Sequence, residues 1–308
     1  MFLIKRGFWL LFVEVALITF ALTLNPLYNV FLLQVIWAIG GSMIVLGLLI
    51  WLPLPSIAAI GIVIFFGHDI LDYIKLPETG AGSVVMKILF TAKAALVPLD
   101  NNHFLIVLYA LLPWTGVMLI GYVFGTIYTP GFDAVKRKRI LIVSGLGLLV
   151  LFLILRTGNI YGDPAPWLAQ RNGVFTVLSY FNLSKYPPSL LYLCMTLSPA
   201  LLILAFTEKT KNKLTDIFAV YGSVPFFYYI LHFYLIRVFT VISFYALGYN
   251  SSQIISKESG FLFTPKGAGY NLGVVYLIWL TIILLLYYPC KWFSNYRKTH
   301  HQWWLSYL

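Results

Sequence analysis

Charge is what this chain has least of. Asp, Glu, Lys and Arg make up 10% of its 308 residues, and only ten of them are acidic. A water-soluble globule of this length carries about a quarter of its residues charged, so that class is excluded. Cysteine is nearly absent: Cys194 and Cys290 lie far apart in apolar runs, which gives no disulfide framework and no zinc-ligand spacing. No GxSxG, Walker loop, HExxH or GxGxxG stands in a usable context, so a motif-based hydrolase, ATPase, zinc enzyme or dinucleotide enzyme is unsupported. Strict apolar–polar alternation is lacking too, which excludes a transmembrane β-barrel.

What the chain has is hydrophobic length. Apolar residues reach 60%, aromatic residues 18%, and the mean hydropathy is +0.87. Eight apolar runs are legible, at 7–24, 31–51, 56–74, 105–127, 139–155, 188–206, 224–247 and 272–290. Each approaches the ~20 residues needed to cross a hydrocarbon core. The expectation is an all-α, polytopic integral membrane helix bundle of about eight spans, with residues 1–308 forming one integral domain.

The net charge of +11 would suggest nucleic acid in a soluble domain; here it points to basic cytoplasmic loops. Alternating the loops places twelve of the 21 Lys and Arg on one side, in short segments. They are Lys5, Arg6, the run Lys136-Arg-Lys-Arg139, Lys209, Lys211, Lys213, Lys291, Arg297 and Lys298. Eight fall on the other side, in longer connections, and Arg237 lies inside a span. The positive-inside rule then puts both termini in the cytoplasm and the protein in the inner (cytoplasmic) membrane. The first run continues too far for a cleavable signal peptide and has no Ala-x-Ala site.

Polar groups inside these runs are the candidates for chemistry. His232 and Arg237 share the stretch 224–247, where a mid-helix Arg costs roughly 2.5–3.5 kcal/mol on insertion scales. Glu14 sits in the first run, about 10 Å from its inner end, and His232 about 12 Å from the inner end of its own. The three could border a polar shaft; a structural ion pair, or an Arg reaching for an interface, is the competing reading. In Gly67-His-Asp-Ile-Leu-Asp72, Asp69 stands beside His68 and could orient its ring; a solvated helix end is the plain alternative. Asn182-Leu-Ser-Lys185-Tyr-Pro-Pro-Ser189 holds Lys185 and Tyr186 at a proline-restricted helix entrance, suited to a phosphate or carboxylate, with a simple loop-to-helix corner as the plain alternative. Upstream, Gly158-Asn-Ile-Tyr-Gly-Asp163-Pro-Ala-Pro-Trp167 brings turn residues, an acid and aromatic surface, or simply interfacial anchors.

Five segments, in order, carry a family resemblance. They are Gln34-Val-Ile-Trp-Ala-Ile-Gly-Gly-Ser-Met43, Gly67 to Asp72, Pro113-Trp-Thr-Gly-Val-Met-Leu-Ile-Gly-Tyr-Val-Phe-Gly125, Asn182 to Ser189, and Gly222-Ser-Val-Pro-Phe-Phe-Tyr-Tyr-Ile-Leu-His232. Together they resemble the bacterial branch of the heparan-alpha-glucosaminide N-acetyltransferase catalytic-domain family, over essentially the whole chain. The resemblance implies a transmembrane acyltransferase that takes acetyl-CoA from the cytoplasm as co-substrate. The acetyl group would pass to an amine or hydroxyl of a glycan or amino-sugar acceptor at the opposite face. Partners would then be the lipid bilayer, acetyl-CoA and that acceptor, with no nucleic acid and with a homodimer left open. Lys185, Tyr186, Arg237 and Gln34 would line the cofactor path; His232, His68 and Asp69 would take supporting catalytic roles.

The chain also departs from the family pattern. Members normally begin with two further helices, and the family's proposed catalytic His belongs to them. Met1-Phe-Leu-Ile-Lys-Arg-Gly7 resembles the entrance of the third helix. The resemblance therefore implies ten spans where eight are read, and a chain that, as written, does not carry out the family reaction. The competing functional class is a proton-coupled transporter or channel using Glu14, His232 and Arg237.

Overall fold

Continuous apolar runs with good helix formers and few breakers give long helices, and these dominate the computed structural model, which describes residues 1–74, 80–91, 96–254, 261–265 and 267–307. In chain order the helices are α1 (Phe2–Val13), α2 (Thr19–Thr23), α3 (Val35–Leu49), α4 (Leu54–Gly67), α5 (Gly80–Met86), α6 (Leu111–Phe124), α7 (Ala134–Gly158), α8 (Gly173–Phe181), α9 (Leu190–Thr207), α10 (Lys213–Ser223), α11 (Pro225–Ala246) and α12 (Leu272–Thr299). A π-helical turn, Glu14–Ile18, joins α1 to α2. Three short strands, β1 (Val30–Leu33), β2 (Leu96–Pro98) and β3 (Phe104–Val107), form one sheet in the order β1-β3-β2.

The all-α expectation holds, and so does the membrane character at the level of length and apolarity. Among the described residues, seven helices are long and apolar enough to cross a membrane: Phe2–Thr23, Leu54–Tyr73, Leu111–Tyr128, Ala134–Gly158, Leu190–Thr207, Pro225–Ala246 and Leu272–Thr299. The run expected at 31–51 differs. Its first residues are extended in β1, and the helix that follows has only 15 residues, about 22 Å against a core of about 30 Å. The strand pairing explains the split, because Leu33 O accepts from Leu108 N at 3.0 Å.

Contacts cluster in two compact units. The first comprises Met1–Leu11, Leu33–Val97 and Val107–Thr210. In it, α4 and α3 pack on α6, and α7 packs along α9. Small residues set the spacing. A Cβ at Gly116 on α6 would stand 2.8 Å from Ile64 Cγ2 and 3.0 Å from the Phe65 backbone nitrogen on α4. That closeness, typical of helices that cannot rely on the hydrophobic effect in lipid, lets dispersion act over the whole contact. Ser198 on α9 donates to Gly145 O on α7 at 2.8 Å, and α9 runs on through Pro199 although that residue has no N–H to give.

The second unit comprises Phe12–Leu32, Pro98–Ile106 and Lys211–Leu308. Its core of Val224, Cys290, Phe293 and Leu305 joins α10, α11 and α12. Tyr221 of α10 donates to Ile283 O at 2.6 Å, and Ser223 donates to Ser294 Oγ at 2.8 Å. The π-helical turn leaves backbone carbonyls to be satisfied from outside the helix. Tyr28 donates to Ala16 O at 2.7 Å and Tyr234 to Leu17 O at 3.2 Å, as expected where a helix register slips by one residue.

Candidate functional site

In the first unit, α4 ends in a 3₁₀ turn, His68–Tyr73. The turn carries His68 and Asp69 to the start of α9, where Pro188 and Leu190 await them. His68 Nδ1 lies 3.1 and 3.0 Å from Ile64 O and Phe65 O. Its Nε2 lies 3.0 Å from Pro188 O and 3.2 Å from Asp69 Oδ1. Both ring nitrogens thus face oxygen acceptors, with the Asp69 carboxyl beside Nε2. Asp69 Oδ2 in turn accepts from Leu190 N at 2.8 Å. A carboxylate on the first N–H groups of a helix satisfies orphan donors and meets the positive end of the helix dipole. Both residues are buried, at 6% and 5% exposure, so the solvated-helix-end reading does not describe them.

A second acid grips the same helix start. Asp163 Oδ2 accepts from Ser189 Oγ at 2.7 Å and Ser184 N at 2.9 Å. Ser189 is the N-cap of α9, its hydroxyl accepting from Tyr192 N at 3.1 Å. Asp163 Oδ1 lies 3.9 Å from Arg156 Nη1. Arg156 is 2% exposed and donates to four backbone carbonyls: Tyr180 at 2.9 Å, Ala165 at 2.7 Å, and Ser179 and Asn182 at 3.0 Å each. Three of these belong to the end of α8, so the guanidinium caps that helix as a cation should. Tyr161 donates to Phe66 O at 2.8 Å; burial, followed by the Asp69 charge, pushes its phenol up to about 12.

The product of these clamps is a fixed loop, 184–189, that carries Lys185 and Tyr186. Ser184 donates to Pro187 O at 3.0 Å, and Ser189 N donates to Ser184 O at 3.0 Å. Lys185 Nζ stands 5.1 Å from the Tyr186 ring centroid, and Tyr186 meets Tyr109 edge-on at 5.2 Å. Lys185 also lines a cavity of about 580 Å³ between α3 and α6, walled by Val35, Ser42, Tyr109, Trp114 and Tyr192 among others. Trp114 Nε1 in this wall is buried with no hydrogen-bond partner among the described residues.

No family model matches the chain, and no curated protein or solved structure matches it. Any assignment of chemistry must therefore stand on the groups themselves.

The remaining candidates fall into two places. Gln34 is half-buried at the N-cap position of α3, in the first unit, next to the cavity residue Val35. Glu14, His232 and Arg237 belong to the second unit. Glu14 is fully buried where the π-helical turn begins. His232 Nδ1 bonds to Tyr229 O, and its ring lies parallel to that of Tyr228 with centroids 5.4 Å apart. An Nδ1–H bonded to a carbonyl leaves the Nε2 lone pair as the basic atom. Arg237 is 7% exposed and donates from Nη2 to Leu262 O at 2.5 Å, while its Nε has no partner among the described residues. The structure thus brings together His68, Asp69, Lys185 and Tyr186, with Gln34 beside the same cavity.

Arg156 and Ser189 were not singled out by the sequence reading, and Asp163 only as an acid in a turn. One signal was available for Arg156: it closes seventeen residues, 140–155 and itself, in which it is the first charge after Arg139. A lone cation at the end of such a run needs carbonyl or carboxylate partners.

Proposed function

We propose that this chain is a multi-pass membrane protein of the acyltransferase type, binding an acyl-CoA donor whose acetyl group the family it resembles passes to an amine or hydroxyl of a glycan-type acceptor. The observation that carries the reading is the cavity between α3 and α6. It is apolar and aromatic along its length, it has one cation, Lys185, on a clamped loop, and its wall contains the buried indole N–H of Trp114. An acylated pantetheine arm has matching chemistry: a flexible chain with amide and thioester carbonyls, ending in phosphates. Lys185 would meet a phosphate, the Trp114 N–H a carbonyl, and Tyr109 and Tyr192 would flank the chain. A single lysine does not neutralise all the phosphates of coenzyme A, so the nucleotide end would lie in solvent.

In this reading His68 and Asp69 are positioning residues: His68 Nε2 holds Pro188 O of the loop that bears Lys185, and Asp69 holds the first N–H of α9 behind it. His232 belongs to the second unit and keeps the supporting role, with Nε2 as its basic atom. Membrane insertion, with eight spans and cytoplasmic termini in the inner membrane, belongs to the same proposal. A second reading, a proton-coupled carrier, draws on the burial of Glu14 and Arg237 within the second unit.

Calorimetric titration of the purified chain with acetyl-CoA tests the first reading. Saturable binding is expected, weakened roughly tenfold by Lys185→Ala, the equivalent of about 1.4 kcal/mol. No saturable binding to the unsubstituted chain would end the acyltransferase reading. Proton uptake by reconstituted vesicles, abolished by Arg237→Leu, would favour the carrier.

A further inference from the structure

The short helix α8 has its polarity the wrong way round for a helix on a wet surface. Val174, Val177, Leu178 and Phe181 fall on one stripe at helical spacing. All four are exposed, at 69%, 56%, 57% and 51%. The opposite side faces the protein's own loop. There Thr176 Oγ1 accepts from Gln170 N at 2.9 Å, and Ser179 Oγ accepts from Leu168 N at 3.1 Å. The Tyr180 hydroxyl bonds to Thr157 Oγ1 at 2.9 Å. The helix is not loosely attached: Asn172 caps its start and Arg156 its end. A fixed helix that keeps its polar side inward and turns an apolar stripe outward requires an apolar surrounding.

Its place along α7 says what that surrounding is. The Phe181 and Tyr180 rings pack on Phe152 of α7, with centroids 6.2 and 5.8 Å apart. Phe152 lies six residues before the end of α7 at Gly158, or about 9 Å along the axis. A helix of 25 residues is about 37 Å long and overhangs a ~30 Å core by only ~4 Å at each end. Phe152 and the α8 rings against it would therefore sit ~5 Å inside the hydrocarbon boundary, the depth at which amphipathic helices lie in an interface. Elsewhere on its circumference α7 itself turns Val150, Leu153 and Ile154 outward. At the start of α8, Arg171 stands 3.9 Å over the Phe175 ring, a cation placed where a phosphate headgroup would be met.

We infer that α8 is an interfacial helix embedded in one leaflet of the membrane, its Val174–Phe181 stripe in contact with acyl chains and Arg171 at the headgroups. The inference rests on the membrane reading of the long helices but not on acyl transfer.

Spin labels read by electron paramagnetic resonance decide it, in the full chain carrying Cys194→Ala and Cys290→Ala and reconstituted in phosphatidylcholine–phosphatidylglycerol vesicles. Labels are placed singly by Val177→Cys or Leu178→Cys on the stripe, Gln170→Cys on the loop and Val150→Cys on α7. The stripe labels are expected to relax severalfold faster with oxygen than with a water-soluble nickel chelate, as at position 150, with the reverse at position 170. Nickel access at 177 and 178 with oxygen access at 150 overturns the inference alone. Nickel access at all four positions overturns the membrane reading with it. Low access to both relaxants at 177 and 178, with broadening between labels, assigns the stripe to a second copy of the chain and also overturns it. Because 177 and 178 are tested separately, loss of one variant to misfolding leaves the other to decide.

Discussion

Arg156→Met is the most exacting test of the clamp described above. Methionine keeps the length and apolar volume of the arginine stem but removes every donor. Four carbonyls, those of Ala165, Ser179, Tyr180 and Asn182, lose a hydrogen bond at once, Ser179 O alone keeping one from Asn182 N, and Asp163 loses its nearest cation. An unsatisfied buried acceptor costs about 1–3 kcal/mol, which over the three left without a partner would rival the total stability of many domains. The loop can open, however, and let water reach them, so the cost is capped at that of breaking a buried pair by removing one member, roughly 3–5 kcal/mol. For a unit of this size that is a fall in unfolding midpoint on the order of 10 °C. The loss should be local first. Amide exchange at residues 179–182 should accelerate, while amides in the middle of α7 keep their protection until global unfolding. Arg156→Lys, with one point charge and three donors, cannot reach all four carbonyls and should fall between the two. Thermal unfolding in detergent, with exchange read by mass spectrometry, measures both quantities. An unchanged midpoint together with unchanged exchange at 179–182 in Arg156→Met would refute the assignment of Arg156 as the fastener of this loop.

Two further outcomes follow from the packing and the α9 clasp. Asp69→Ala should destabilise by about 1–3 kcal/mol, because it leaves the buried Leu190 N–H without its acceptor; Asp69→Asn, which keeps an acceptor for Leu190, should cost less, both read as unfolding midpoints. Gly116→Ala should destabilise by about 1–3 kcal/mol, since the Phe65 backbone at 3.0 Å cannot yield, whereas Gly147→Ala, with nothing within 4 Å, should be neutral or slightly stabilising through helix propensity.

The helices were largely legible in the sequence because an apolar run of about twenty residues is a one-dimensional signal. What escaped it depends on distant partners. The split of the 31–51 run into β1 and α3 requires β3, some seventy residues later, and no local pattern announces that pairing. The short helices α8 and α10 fall between spans and are too brief to stand out as periodic patterns. At the candidate site, polarity alone flagged His68, Asp69 and Lys185. It could not reveal that the first two hold the loop of the third, since His68 and Pro188 are 120 residues apart. Arg156 escaped because one cation closing an apolar run reads as an interface marker until its carbonyl partners are seen.

The clasp between Asp69 and Leu190 has a meaning for how the protein is made. A ribosome adding about 5–20 residues per second reaches Leu190 roughly 6–24 seconds after Asp69, given the 121 residues between them. Throughout that interval α4 is complete while Asp69 and His68 have only each other and nearby carbonyls for company. The end of α4 lacks its α9 partner until that helix has been made. Closure of that end is thus a late event in biogenesis, and a translation pause ahead of residue 190 would prolong the stage at which a finished helix still lacks the partner for its polar end.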